Sequence, residues 1–187
     1  QRGESLSDEQ LNELRSSKQR HYLQKVGSGG VCLRPGVLRL LRELQIRTIA
    51  QWIVTSSGAS SVSALLENMF PNGDHPFSGV LSADDVIRHK PHPEPYLRAL
   101  QLSNTSPDNA LVLEDSAAGL QSASNAGLRC LLTPSAWDRK VRHYQNEAVA
   151  VMDHLGSSNN PCKIIKGPPC VDGFVTLEYL EMLLVLP

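Results

Sequence analysis

Aromatic residues make up only 5% of this 187-residue chain, and there are four cysteines. The formal net charge is −1, with lysines and arginines scattered. That leaves no basic surface for nucleic acid or an anionic membrane. No apolar run approaches the roughly 18 residues of a membrane span. Four cysteines are too few for a disulfide scaffold, and their spacing fits no zinc pattern. Cys32 and Cys130 lie in apolar contexts and read as reduced core residues, whereas Cys162 and Cys170 lie in a Pro-rich tail where pairing is open. A reducing compartment is the default: the cytoplasm, or the plastid stroma for a photosynthetic eukaryote. No charged-then-apolar pattern opens the chain, so no signal peptide is visible. Nothing bears on oligomeric state.

What is present is ordinary globular material, 41% apolar and 20% charged. The length suits one domain with a proper core, or a domain with an appendage. Residues 7–25 read as a helix, with Ser7 and Gln10 as its capping box. Its apolar stripe is thin: Leu11, Leu14 and Tyr22. Gly27 to Gly30 read as a linker. Beyond it, helices and strands alternate. Pro35 starts a helix with Val37, Leu38, Leu41 and Leu44 on one face. A strand runs through Val54, and a helix follows with Val62, Leu65, Leu66 and Met69 inward. "SGVLS" is a strand, "PEPYLRALQLSN" a helix, "NALVLED" a strand. "SAAGLQSASNAG" is a helix closed by Gly127. "LRCLLTPS" and "AVAVMDHL" are strands, and "VTLEYLEMLLVL" a last helix. The alternation predicts an α/β fold with a parallel sheet covered by helices on both faces.

In such sheets ligands sit beyond the carboxyl ends of the strands. Thr55-Ser56-Ser57-Gly58 follows one strand, with hydroxyls and backbone N–H groups suited to a phosphate or to capping a helix. Lys90 follows another, held extended by Pro91 and able to meet an anion or simply to be solvated. His89 and His92 lie on that same Pro-broken loop, a poor frame for a metal. Glu114 and Asp115 end a third strand. Two adjacent carboxylates repel, and a hard cation such as Mg²⁺ would relieve them; helix capping by Asp115 is the plainer reading. Together the three ends offer hydroxyls, a cation and two carboxylates at one edge, the equipment for a phosphate monoester beside a divalent metal.

"WIVTSSG", "HKPHPEPYL" and "LVLEDSAAGLQSASNAGL" resemble motifs II, III and IV of the haloacid dehalogenase-like hydrolases. The resemblance covers residues 34 to 134. The branch it is most similar to contains beta-phosphoglucomutase, phosphoglycolate phosphatase and the CbbY-type sugar-phosphate phosphatases. It implies a Rossmann-like doubly wound core over residues 31–187, with residues 1–30 as the remnant of a helical cap and its linker. It implies that Thr55, through its hydroxyl, and Ser56, through its backbone N–H, contact phosphate. Lys90 would neutralise the charge of phosphate and nucleophile. Asp115 would ligate Mg²⁺ with Glu114 in its shell. Glu94 stands where the family more often has Asp. The substrate would be a small phosphorylated metabolite, with no nucleic acid or membrane partner.

One departure is large. The family's attacking Asp lies in a D-x-D-G-T motif ahead of the cap, and no D-x-D occurs in this sequence. "CVDGFV" imitates it, but Cys170 stands where the nucleophile should, and no strand leads into it. The expectation is a phosphatase truncated before its nucleophile. The alternatives are a non-catalytic relative that binds phosphorylated ligands or a protein, and a phosphosugar mutase.

Overall fold

A computed structural model of the chain describes residues 7–138 and 140–186. In chain order its elements are α1 (Asp8–Gly27), α2 (Val37–Ile46), β1 (Trp52–Val54), α3 (Ala59–Met69), β2 (Gly79–Leu81), α4 (Glu94–Ser103), β3 (Leu111–Glu114), α5 (Ala117–Asn125), β4 (Arg129–Leu132), α6 (Val141–Tyr144), β5 (Ala150–Met152), β6 (Ile164–Lys166) and α7 (Leu177–Val185). None of the described helices is long and apolar enough to cross a membrane. The chain divides into two units, Gln1–Cys32 with Ser57–His75, and Leu33–Ser56 with Pro76–Pro187.

The first unit pairs α1 with α3. The Ser7 hydroxyl accepts from Gln10 N–H at 3.2 Å and Gln10 Oε1 accepts from Ser7 N–H at 2.8 Å, so the capping box forms. Gln19 Nε2 donates to Ser60 Oγ at 2.8 Å and ties α1 to α3. Leu11 and Leu14 stay exposed, as the thin stripe predicts.

The second unit holds the sheet in two pieces. β1 and β2 are a parallel pair, and β3, β4 and β5 are parallel in that order. β6, which the sequence did not single out, adds to β5 antiparallel at the edge of the parallel sheet. A three-residue strand between Pro-rich segments carries no periodicity to read, and pairing with β5 alone defines it. Period two sorts the side chains. Val112, Cys130, Leu132 and Val151 face one cluster, with Leu120 and Ala123 of α5. Leu131, Ala150 and Met152 face the other, with Leu40 of α2 and Leu180 and Leu183 of α7. In α2 the buried residue is Leu40, with Val37 and Leu44 alongside, while Leu38 is exposed. The inward face of that helix is therefore turned from the one the sequence suggested.

The two pieces of sheet are not hydrogen-bonded to each other. Thr55 N–H donates to Leu81 O, and Glu114 O accepts from Thr133 N–H. Parallel alternation then turns the backbone of Trp52 and Val54, and of Leu111 and Leu113, away from their own ladders. Leu113 is 41% exposed, although the strands beside it in β4 and β5 carry fully buried residues.

Candidate active site

The loop from β2 to α4 is built to hold one lysine. Ser82 starts it with a reciprocal cap: its hydroxyl accepts from Asp84 N–H at 3.2 Å, and the Asp85 carboxylate accepts from Ser82 N–H at 2.8 Å. Glu94 closes it, accepting from Ile87 N–H at 2.8 Å, Arg88 N–H at 3.2 Å and Arg88 Nε at 3.0 Å. His92 Nδ1 caps α4 by accepting from Glu94 N–H at 3.1 Å, and its carbonyl takes the buried Ser122 hydroxyl at 2.7 Å. His92 thus helps build the loop through its Nδ1 and its carbonyl.

Lys90 emerges from this loop with its side chain only 7% exposed. Its ammonium has three N–H donors and meets three acceptors: Val54 O at 2.9 Å, Tyr96 Oη at 3.1 Å and Glu114 Oε1 at 2.5 Å. Glu114 is equally buried, 8% exposed, and its Oε1 also accepts from the Tyr96 hydroxyl at 2.5 Å. Burial, followed by the Glu114 charge, pushes the Tyr96 phenol far up, so it stays a donor. Glu114 Oε2 accepts from Asp115 N–H at 3.2 Å and Ser116 Oγ at 3.3 Å. Both oxygens of Glu114 are engaged.

The small residues after the strand make room for this. A Cβ on Gly119 would lie 2.0 Å from Glu114 Cδ and Oε2. Glycine is required there for close approach. The start of α5 is capped twice over: Ser116 Oγ accepts from Gly119 N–H at 3.1 Å, and Asp138 Oδ2 from Ala117 N–H at 2.8 Å.

Asp115 points the other way. It is exposed, and its carbonyl accepts from Ser135 N–H at 2.8 Å. Partial burial, then the Glu114 charge, raise its carboxyl above the usual range, against the pull of Arg34 and Lys90. Thr55 and exposed Ser56 follow Val54 directly. Because one ammonium bridges Val54 and Glu114, the carboxyl ends of β1 and β3 lie at one edge, and Thr55 and Asp115 are the next residues along the chain. Glu114, expected in the shell of an Asp115-bound Mg²⁺, is in this structure also the counter-ion of Lys90. Among the described residues no three His, Cys, Asp or Glu side chains assemble to hold a metal. The exposed Asp115 carboxylate is a hard-oxygen donor at this edge.

Tyr96 and Arg34 were not anticipated. Tyr96 lies in the helix read from "PEPYLRALQLSN", and only the fold aims its hydroxyl at Glu114. Arg34 donates to Thr133 O at 2.7 Å, to Thr133 Oγ1 at 3.1 Å and to Asp153 O, joining segments 99 to 119 positions away. No local pattern encodes that reach. Asp172 sits in a turn closed by Gly173 N–H on Cys170 O at 3.2 Å, with no strand leading into it.

The haloacid dehalogenase-like hydrolase family profile matches residues 3–133. Protein CbbY of Rhodobacter capsulatus is 39% identical over 139 residues, covering 73% of this chain and 61% of that protein. The putative phosphatase YhcW of Bacillus subtilis is 29% identical over 167 residues, covering 84% of this chain and 73% of that protein. Crystal structures of CbbY from Rhodobacter sphaeroides, in complex with phosphate and with xylulose-(1,5)bisphosphate, superpose with a TM-score of 0.65 at 29% identity, over 72% of this chain and 60% of theirs. The chain spans about 60% of the length of the CbbY proteins it matches.

Proposed function

Since the chain belongs to the haloacid dehalogenase-like hydrolase family, we propose that it is the phosphate-holding part of a Mg²⁺-dependent phosphatase for a small phosphorylated metabolite of the sugar-phosphate class. The observation that carries this reading is Lys90, a buried ammonium joined to the end of β1 through Val54 O and to the end of β3 through Glu114. Glu114 and Tyr96 orient the cation at the edge where phosphate charge would collect, and burial keeps its field unscreened. The Thr55 hydroxyl and the Ser56 N–H take phosphate oxygens. Asp115 would hold Mg²⁺, which when bound would supply neutralisation of phosphate charge.

The attacking carboxylate is the part these residues do not supply. We place it on a strand from outside this sequence, seated between β1 and β3, where Trp52, Val54, Leu111 and Leu113 turn their backbone away from their own ladders. Residues 1–30 are then the end of a helical cap and its linker. The sugar-phosphate class rests on likeness to CbbY, whose structure holds xylulose-(1,5)bisphosphate.

The absence of D-x-D favours one other reading, a relative that binds phosphorylated ligands without turnover. The test is to assay phosphate release from sugar phosphates by this chain and by a version carrying an upstream D-x-D-G-T strand. Mg²⁺-dependent release by the longer version only, lost in Lys90→Ala and weakened toward Mg²⁺ in Asp115→Asn, is the expected outcome. Binding without release in both favours the non-catalytic reading, and isomerisation of the substrate favours a mutase. Turnover by the short chain, abolished by Asp172→Asn, sinks the proposal.

A further inference from the structure

Two thiols remain outside everything described so far. Cys162 N–H donates to Gly173 O at 2.7 Å, and Gly173 N–H returns to Cys170 O at 3.2 Å. The backbone around one cysteine is thereby pinned to the turn that begins at the other. The packing there is tight. Gly173 has φ +71°, and a Cβ on it would lie 2.6 Å from Pro161 Cβ, the residue before Cys162. Both side chains pack against the cluster of Leu131, Met152 and Leu183. Both thiols are free and only partly exposed.

The geometry points to Cys162 and Cys170 as a thiol–disulfide modification site that closes into an intramolecular disulfide when the chain meets a low-molecular-weight disulfide oxidant. The Cys162 thiolate attacks one sulfur of the oxidant, forming a mixed disulfide and expelling a small thiolate, which takes up a proton. The Cys170 thiolate then attacks the Cys162 sulfur and expels the second small thiolate. The two protein thiols lose two electrons and two protons, and one oxidant molecule becomes two thiols. Burial raises both thiols, Cys170 to about 12. With both thiols held up, exchange is slow at neutral pH and quickens by about tenfold per pH unit. The bond staples the segment containing β6 to the turn before α7. The backbone bond from Cys162 N–H to Gly173 O already holds the two segments together, so closure needs little backbone movement.

The experiment uses the chain as it stands. It is incubated under native conditions with oxidised glutathione, then alkylated, unfolded and digested with trypsin. Lys163 and Lys166 lie between the two cysteines, so their peptides separate unless a disulfide joins them. The expected result is a Cys162–Cys170 linked peptide pair, about 2 Da lighter than the two reduced peptides together. Dithiothreitol should reverse it. The thermal midpoint of the oxidised chain should be higher by about 5 °C. Cys162→Ser and Cys170→Ser should each abolish the link, and Cys32→Ser should leave it intact. A glutathione adduct parked on either cysteine, or linkage to Cys32 in its place, overturns the proposal. So does a link that appears only after the chain is unfolded. Peptide mapping of the unmutated chain decides the matter even if a serine variant folds poorly.

Discussion

The β1–β2 pair and the β3–β6 sheet are made of similarly short, mostly apolar segments, yet the two regions differ in how they are held. β5 is buried along its whole length, and β4 at every residue but Arg129. β1 is only half-buried throughout, and Val80 of β2 is 36% exposed. The larger sheet rests on apolar layers on both faces. The end of the smaller one is met by a charged group, the Lys90 ammonium on Val54 O. Dispersion and apolar burial tolerate small errors in position, whereas a buried ion pair depends on geometry and on every partner being present.

The sharpest way to break the comparison is Lys90→Met. It leaves Glu114 buried without its cation and should cost about 3–5 kcal/mol in urea unfolding. The double variant Lys90→Met, Glu114→Gln should recover much of that loss, because the uncompensated charge is gone. Equal losses in both would show that packing, not charge, joins the two regions. Next in size is Leu131→Ala in the middle of β4. Its side chain is 0% exposed, and the cavity should cost about 2–5 kcal/mol. Val80→Ala, at the half-open strand, should cost less than about 1 kcal/mol by the same measurement.

Gly119→Ala comes third. Its Cβ would overlap the Glu114 carboxylate and force α5 or Glu114 to move, a cost of about 1–3 kcal/mol. Wild-type stability in that variant would mean that α5 does not set the position of Glu114. The smallest effect belongs to Asp115→Asn, and it depends on pH. The folded-state carboxyl is raised, so the folded chain holds its proton at pH values where the unfolded chain has released it. Ionisation then favours unfolding, and wild-type stability falls as pH rises out of the carboxylate range. Asp115→Asn, which has no charge to lose, should melt slightly higher than wild type at neutral pH. The gap should close as pH drops through the carboxylate range. Thermal unfolding at several pH values checks both the sign and the window.

Much of the fold was legible because local patterns carried it. The Ser7–Gln10 box, Gly127 at φ +74° and the apolar strands are written in neighbouring residues, and each forms. β6 was not legible, since three residues carry no period. Nor was the face of α2, where Leu38 and Leu40 compete and only contact with β4 and α7 chooses. In the site, Lys90, Thr55 and Asp115 announce themselves at strand ends. Arg34 and Tyr96 do not, because their acceptors lie far along the chain or on another element.

The pair Glu114-Asp115 shows where the division falls. The sequence by itself determined that two carboxylates end an apolar strand and meet a turn of small residues. It also determined that, by the alternation of a strand, they point in opposite directions. Which of them turns inward was decided only by the tertiary structure. Gly119 leaves the space, and Tyr96 and Lys90 arrive from another loop and helix to satisfy Glu114. Burying a carboxylate is costly unless its donors are already in place, and those donors come together only when β1, α4 and β3 have packed.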